Sequence, residues 1–231
     1  AAILPLPYNT SKPTKPFHEG GQKMVKVAAP MLSLDASGTI ANSMTFSKWK
    51  GRNYVRTRVI PANPRSPKQT GIRAMISFLS KQWASLGPYH QATWEEPAKQ
   101  SNVSPFNAYT AANAFDWRNG LYPSKSYPAA RSSAAPSAPT VSASGAQRQA
   151  TITITKGATP PTWGYSIHRS TTSGFSPSWT NCIALVPKDS TGNAAYIDTP
   201  LPAGTYYYTA IPFNDDGKPG TAATQASATV T

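Results

Sequence analysis

The chain has 231 residues, 23 of them proline, a net charge of +13 and a single cysteine, Cys182. That length suits one or two domains. One cysteine excludes an intramolecular disulfide, so packing alone must hold the fold. No apolar run approaches the ~20 residues of a membrane-spanning helix, and the proline content argues against long helices dominating. The charge is uneven. Residues 1–119 carry 15 Lys and Arg against 5 Asp and Glu, whereas residues 120–231 carry 7 against 4. A cationic front half attracts nucleic acid, an anionic membrane or an acidic protein surface.

Residues 1–30 are rich in proline and lack periodicity, which predicts an extended arm. Within it, Met24-Val25-Lys26-Val27 reads like a natural start, with the preceding 23 residues appended or processed. The next segment changes character. Asp35-Ala36-Ser37-Gly38 is a turn signal. Ile40, Asn42, Met44 and Phe46 then share one parity, which predicts a strand. Lys50-Gly51-Arg52-Asn53 is a hairpin connection. A second strand follows over 54–60, with Val55, Thr57 and Val59 on one face and Tyr54, Arg56, Arg58 and Ile60 on the other.

Helix signals come next. Ser66, Pro67 and Gln69 form a capping box with a first-turn proline. Ile72, Met75, Ile76, Leu79, Trp83 and Leu86 make one apolar stripe at spacings of three and four. Gly87-Pro88 ends it. A short helix over about 89–96 points Trp94 inward and stops at Pro97. Ser104-Pro105 opens a third helix, to which Phe106, Tyr109, Ala112, Asn113, Phe115 and Trp117 give an aromatic face. The expectation is a small basic α+β domain over 31–121, a hairpin plus about three helices. A Pro/Ser/Ala linker over 122–138 follows, semi-rigid because proline favours extended backbone.

Residues 139–231 show seven strand signals at the spacing of an all-β sandwich. They are Val141 to Ser144, 150–155, 163–169, 183–186, 195–198, 204–210 and 222–230. Ile152 and Ile154 are expected to fill the core.

This last stretch resembles fibronectin type III domains. The resemblance rests on Tyr165-Ser166-Ile167-His168-Arg169-Ser170, Tyr196-Ile197-Asp198-Thr199, Pro202-Ala203-Gly204-Thr205-Tyr206-Tyr207-Tyr208 and Asn214-Asp215-Asp216-Gly217. It departs from that pattern by lacking a tryptophan in the second strand. The fold class it implies is multidomain: a small α+β N-terminal domain followed by an immunoglobulin-like sandwich. The front domain is similar to small proteins encoded among tailed-phage structural genes. That similarity rests on Phe46 to Arg56, Asn63 to Gln69, Trp83 to Leu86, Trp94 and Pro105 to Tyr109. It implies a virion structural protein made in the host cytoplasm, most simply a capsid decoration or cement protein present in many copies. The partners it implies are the major capsid protein or other virion proteins, with weak contact to host-surface glycans. A tail, collar or adaptor role is the alternative.

The residues themselves point to docking. Residues 40–75 hold eight cations and no acid, interleaved with Trp49 and Tyr54. The candidate docking set is Lys48, Trp49, Lys50, Arg52, Tyr54, Arg56, Arg58, Arg65 and Lys68. Arginine suits bidentate pairing with carboxylates. The same mixture suits phosphate and base stacking, so nucleic acid is a second reading. Catalytic groups are sparse. His18, His90 and His168 have no metal-ligand spacing, and His168, alternating in its strand with Ser166, is expected to face solvent. Glu95 and Glu96 are adjacent and do not converge on a helix. Cys182 reads as a small buried hydrophobe. Two glycosylation-type triplets, at Asn9 and Asn102, read as chance matches. No cofactor, metal, membrane partner or enzymatic activity is expected.

Overall fold

The computed structural model describes residues 25–26, 37–40, 43–60 and 66–231. The expected arm, apart from 25–26, lies outside them, as does Arg65. The chain divides into two compact units, 1–63 and 64–231.

The first unit is one antiparallel sheet of β1 (Val25–Lys26), β2 (Gly38–Ile40), β3 (Met44–Trp49) and β4 (Arg52–Thr57), in the order β1-β4-β3-β2. The single strand expected from Ile40 onward is in fact two. The Ser43 amide donates to the Ile40 carbonyl at 2.9 Å, closing a turn between β2 and β3. Ile40 then pairs with Met44, so both stay on one face as parity required. The connection between β3 and β4 is two residues, Lys50 and Gly51, and not four. Both have positive φ, 47° and 76°. That backbone matches the twist of the flanking strands and returns the chain in the tightest hairpin. Arg52 and Asn53 belong to the strand, which ends at Thr57 and not at Ile60.

The second unit begins with four helices, α1 (Pro67–Trp83), α2 (Pro88–Ala92), α3 (Glu95–Ser101) and α4 (Pro105–Arg118). The cap at α4 forms as expected, with Ser104 Oγ accepting from the Asn107 amide at 3.2 Å. The capping box at α1 does not form, since Ser66 makes no side-chain cap. The expected helix over 89–96 is two short ones. Pro97 does not end a helix but sits in the first turn of α3, where its missing N–H costs nothing. The α1 stripe is rotated from its expected position. Phe78 is buried and Ile76 is exposed.

Seven strands follow: β5 (Thr140–Ala146), β6 (Gln149–Thr155), β7 (Gly164–Ser170), β8 (Cys182–Pro187), β9 (Ala194–Asp198), β10 (Gly204–Phe213) and β11 (Ala226–Val230). They form a three-stranded sheet, β5-β6-β9, and a four-stranded sheet, β11-β10-β7-β8, all antiparallel. Ile152, Ile154, Tyr165, Ile167, Tyr208 and Ala210 are buried between the sheets. The isoleucine pair fills the core as predicted.

The outer face of the four-stranded sheet is covered too. Trp163, Cys182, Leu185 and Phe213 share a second core with Met75, Phe78, Leu79, Trp94, Tyr109 and Trp117 of the helices. Phe78 packs against Trp163 and Phe213 at ring-centroid distances of 5.1 and 5.7 Å. A Cβ on Gly71 of α1 would overlap the Trp179 carbonyl oxygen, so the helix approaches the sandwich backbone where it lacks a side chain. The helices therefore divide from the hairpin and join the sandwich, which differs from the expected 31–121 and 139–231 partition. Phe115 also departs from expectation, being 66% exposed.

The segment 122–138 is packed between these parts. Tyr122, Pro123 and Ser124 are buried. Asn113 of α4 receives the Ser124 amide at 2.7 Å and donates to the Ser124 carbonyl at 3.1 Å. From the other side, the Lys125 amide donates to the Asp215 carbonyl, and Asp216 accepts from both the amide and hydroxyl of Ser133. Arg131 pairs with Asp116 at the end of α4. Backbone polar groups on both flanks find partners, so this segment is part of the core structure and not a free linker.

Candidate docking surface

The hairpin register sorts the cationic side chains. Residues directly opposite one another on paired strands share a face. The pairs Met44–Thr57, Phe46–Val55 and Lys48–Asn53 fall on one face, with Ile40 beside Met44. Thr45–Arg56, Ser47–Tyr54 and Trp49–Arg52 fall on the other, with Thr39 beside Thr45. The sheet is thus amphipathic. One face is mainly apolar, and the other carries two arginines, two aromatics and three hydroxyls.

Four of the nine candidate residues, Trp49, Arg52, Tyr54 and Arg56, are brought together. On a strand, Arg52 and Arg56 stand ~13 Å apart with Tyr54 midway. Trp49 is 63% exposed, and the Lys50 ammonium lies 4.9 Å from its ring centroid. This cation–π contact holds the lysine at the tip of the hairpin. Thr39 and Thr45 hydroxyls meet at 3.2 Å beside the same face. Lys48 is on the opposite face. Arg58 lies past the end of β4, where its amide donates to the Ser43 carbonyl at 2.7 Å. Lys68 is exposed on α1, in the second unit. The sequence grouped all nine by composition, and only register separates them.

The second unit contains polar clusters that sequence reasoning missed. His168 is buried, contrary to the expectation of a solvent-facing residue. Its Nε2 lies 2.9 Å from Ser166 Oγ, which in turn meets the Tyr122 hydroxyl at 2.9 Å. Its Nδ1 meets the Ser178 carbonyl and Asn181 Oδ1, both at 3.0 Å. Burial lowers the imidazole to about 4, against partial opposition from Asn181 and Ser178, so the ring is neutral at pH 7. Burial likewise pushes the Cys182 thiol far up, which makes it inert as a nucleophile and fits its reading as a buried hydrophobe. His90 Nδ1 meets Ser126 Oγ at 2.6 Å. No carboxylate orients that ring among the described residues, so the pair ties α2 to the 122–130 segment. Asp198, at 6% exposure, accepts from Arg169 Nη1 at 2.7 Å and from the Tyr208 hydroxyl at 3.0 Å. Among the described residues no group of three His, Cys, Asp or Glu could hold a metal ion. No described helix is long and apolar enough to cross a membrane.

No protein-family model matches the chain, and no curated protein is similar to it at a significant level. Part of the chain is similar to several solved structures. An Fn3-like protein from Clostridium thermocellum is 26% identical over 42% of this chain and 96% of that one, at a TM-score of 0.34. A β-1,2-glucanase from Parabacteroides distasonis is 19% identical over 43% of this chain and 13% of that one, at 0.35. A myokine is 15% identical over 42% of this chain and all of that one, at 0.31.

Proposed function

We propose that this chain is a non-enzymatic structural protein of a tailed-phage virion, a capsid decoration protein. It docks on an acidic protein surface through one face of the hairpin and displays residues 139–231 as a fibronectin type III module. The observation that carries docking is the register, which places Arg52 and Arg56 with Trp49 and Tyr54 on one face. Neither strand of that hairpin carries an acidic residue. Arginines on a regular strand offer a pre-arranged row of bidentate donors to carboxylates. The reading of the module rests on its three-plus-four antiparallel sheets and on the strand motifs at 165–170 and 204–208. Many copies on one lattice add avidity to a modest single contact.

Reversal of Arg52 and Arg56 to Glu tests the docking face. The expected result is loss of the protein from particles by tenfold or more, with its fold unchanged by circular dichroism. Full occupancy by the double variant would refute the surface. Copy number per particle separates a head protein, at tens to hundreds, from a tail, collar or adaptor component at six or twelve.

One observation favours a second reading. Trp49 and Tyr54 lie on the arginine face and could stack bases, which makes the hairpin a single-strand nucleic-acid platform. That reading requires affinity for an oligonucleotide that falls steeply with salt.

A further inference from the structure

Within the second unit, a groove of about 790 Å³ follows the open side of the sandwich. β8 and β9 are terminal strands of their sheets, and both line it. Helix α1 forms the third wall, from Thr70 to Gln82, a length of ~18 Å along its axis. The volume falls within the ~300–1,000 Å³ of small-molecule sites.

Three polar side chains converge on it: Asp198, Arg169 and Tyr196. Asp198 is 6% exposed, and its Oδ2 takes both of its bonds, from Arg169 Nη1 at 2.7 Å and the Tyr208 hydroxyl at 3.0 Å. No described residue donates to the other oxygen, Oδ1. The guanidinium of Arg169 is held by that bond and by the Tyr206 ring, whose centroid lies 5.6 Å away. Its second terminal nitrogen, Nη2, bonds to no described residue. Tyr196 stands two residues before Asp198 on β9, so the two side chains leave the same face of the strand ~7 Å apart. The Tyr196 hydroxyl also lacks a partner among the described residues. Burial raises that phenol, the Asp198 carboxylate raises it further and Arg169 opposes, so the hydroxyl stands near both and keeps its proton at pH 7. One acceptor, one donor and one group that does both are thus fixed together and unmet. An acceptor held at such low exposure costs stability until something bonds it.

We infer that this groove binds a neutral oligosaccharide, with two adjacent ring hydroxyls of one hexose bonded by Asp198 Oδ1 and Arg169 Nη2. A hydroxyl donates and accepts at once, so a vicinal diol gives one proton to the carboxylate and one lone pair to the guanidinium. The charges of the pair cancel each other, which favours hydroxyls over an ion at this position. Tyr196 adds a third bond, and its ring offers an apolar surface to the C–H face of a sugar. The ribose of a nucleoside carries the same diol, but a nucleoside would leave most of the helix wall empty. The inference does not depend on the virion reading.

The test titrates the full chain with cellotetraose, maltotetraose and mannotetraose, read by calorimetry and by amide NMR shifts. Saturable binding of at least one is expected, with shifts centred on Ser77, Arg169, Tyr196 and Asp198. Tyr196→Phe removes a single hydroxyl and should weaken binding about tenfold. Ser77→Tyr fills the groove from an exposed position on α1 and should abolish binding while leaving the buried ion pair undisturbed. Cleavage of the sugar's vicinal diols with periodate, followed by borohydride reduction, should abolish it too. No saturation by any of the three sugars at tens of millimolar, unchanged affinity in Ser77→Tyr, or binding of uridine alone would each overturn the inference. The hairpin proposal is read separately by particle occupancy, so either can fail alone.

Discussion

Phe78→Ala tests whether helices and sandwich are one folding unit. Phe78 is 3% exposed and its ring is held between Trp163 and Phe213. Truncation removes the transfer energy of the ring and leaves a cavity, which together cost about 3–5 kcal/mol for a buried phenylalanine. The two aromatic contacts place this site toward the upper end. A single domain of this size carries roughly 5–15 kcal/mol in total, so the variant stays folded with much of its stability gone. With a urea dependence of about 2 kcal/mol per molar, the midpoint should fall by roughly 2 M. Because Phe78 belongs to a helix and its neighbours to strands, the loss should reach both parts. Far-UV dichroism and tryptophan fluorescence should keep one common transition, displaced together. Two separated transitions, with the β signal unmoved, would show that the helices and sandwich fold independently and would refute the shared core.

Two further outcomes follow from local geometry. His168 has a folded-state value of about 4 against ~6.5 when unfolded. The unfolded chain therefore takes up the proton first, and stability falls as pH drops from ~6.5 to ~4, by on the order of 3 kcal/mol in all. His168→Gln should flatten that part of the profile, measured as urea midpoints at pH 7 and pH 4.5; an unchanged slope would contradict the buried neutral ring. Ser104→Ala should cost about 1 kcal/mol because it removes a formed cap. Ser66→Ala should cost only a few tenths, since Ser66 makes no such bond; equal losses in thermal unfolding would contradict the difference.

Much of the strand pattern could be read directly. Ala150 to Thr155 alternates in sequence and alternates in burial, because a strand exposes successive side chains to opposite faces whatever surrounds it. The hairpin's two faces followed from the same rule. Its turn did not, because composition alone could not choose two residues over four at Lys50 to Asn53. The positive φ angles of Lys50 and Gly51 made that choice.

His168 shows where local pattern stops. Its place in the strand alongside Ser166 predicted a solvent-facing ring, but both side chains are buried. Whether a strand's second face is wet depends on what packs there: His168 meets Ser178 and Asn181, and its neighbour Ser166 meets Tyr122, which is 44 positions from Ser166 in the chain. The same holds for the segment 122–138, which has a linker's composition yet is fixed by Asn113, Asp215 and Asp216. Periodicity, turn chemistry and the cationic composition of the hairpin are local, so the amino-acid order determined them. The joining of helices to sandwich, the burial of His168 and the sorting of Arg52 and Arg56 from Lys48 required long-range packing and register, which only the tertiary structure decides.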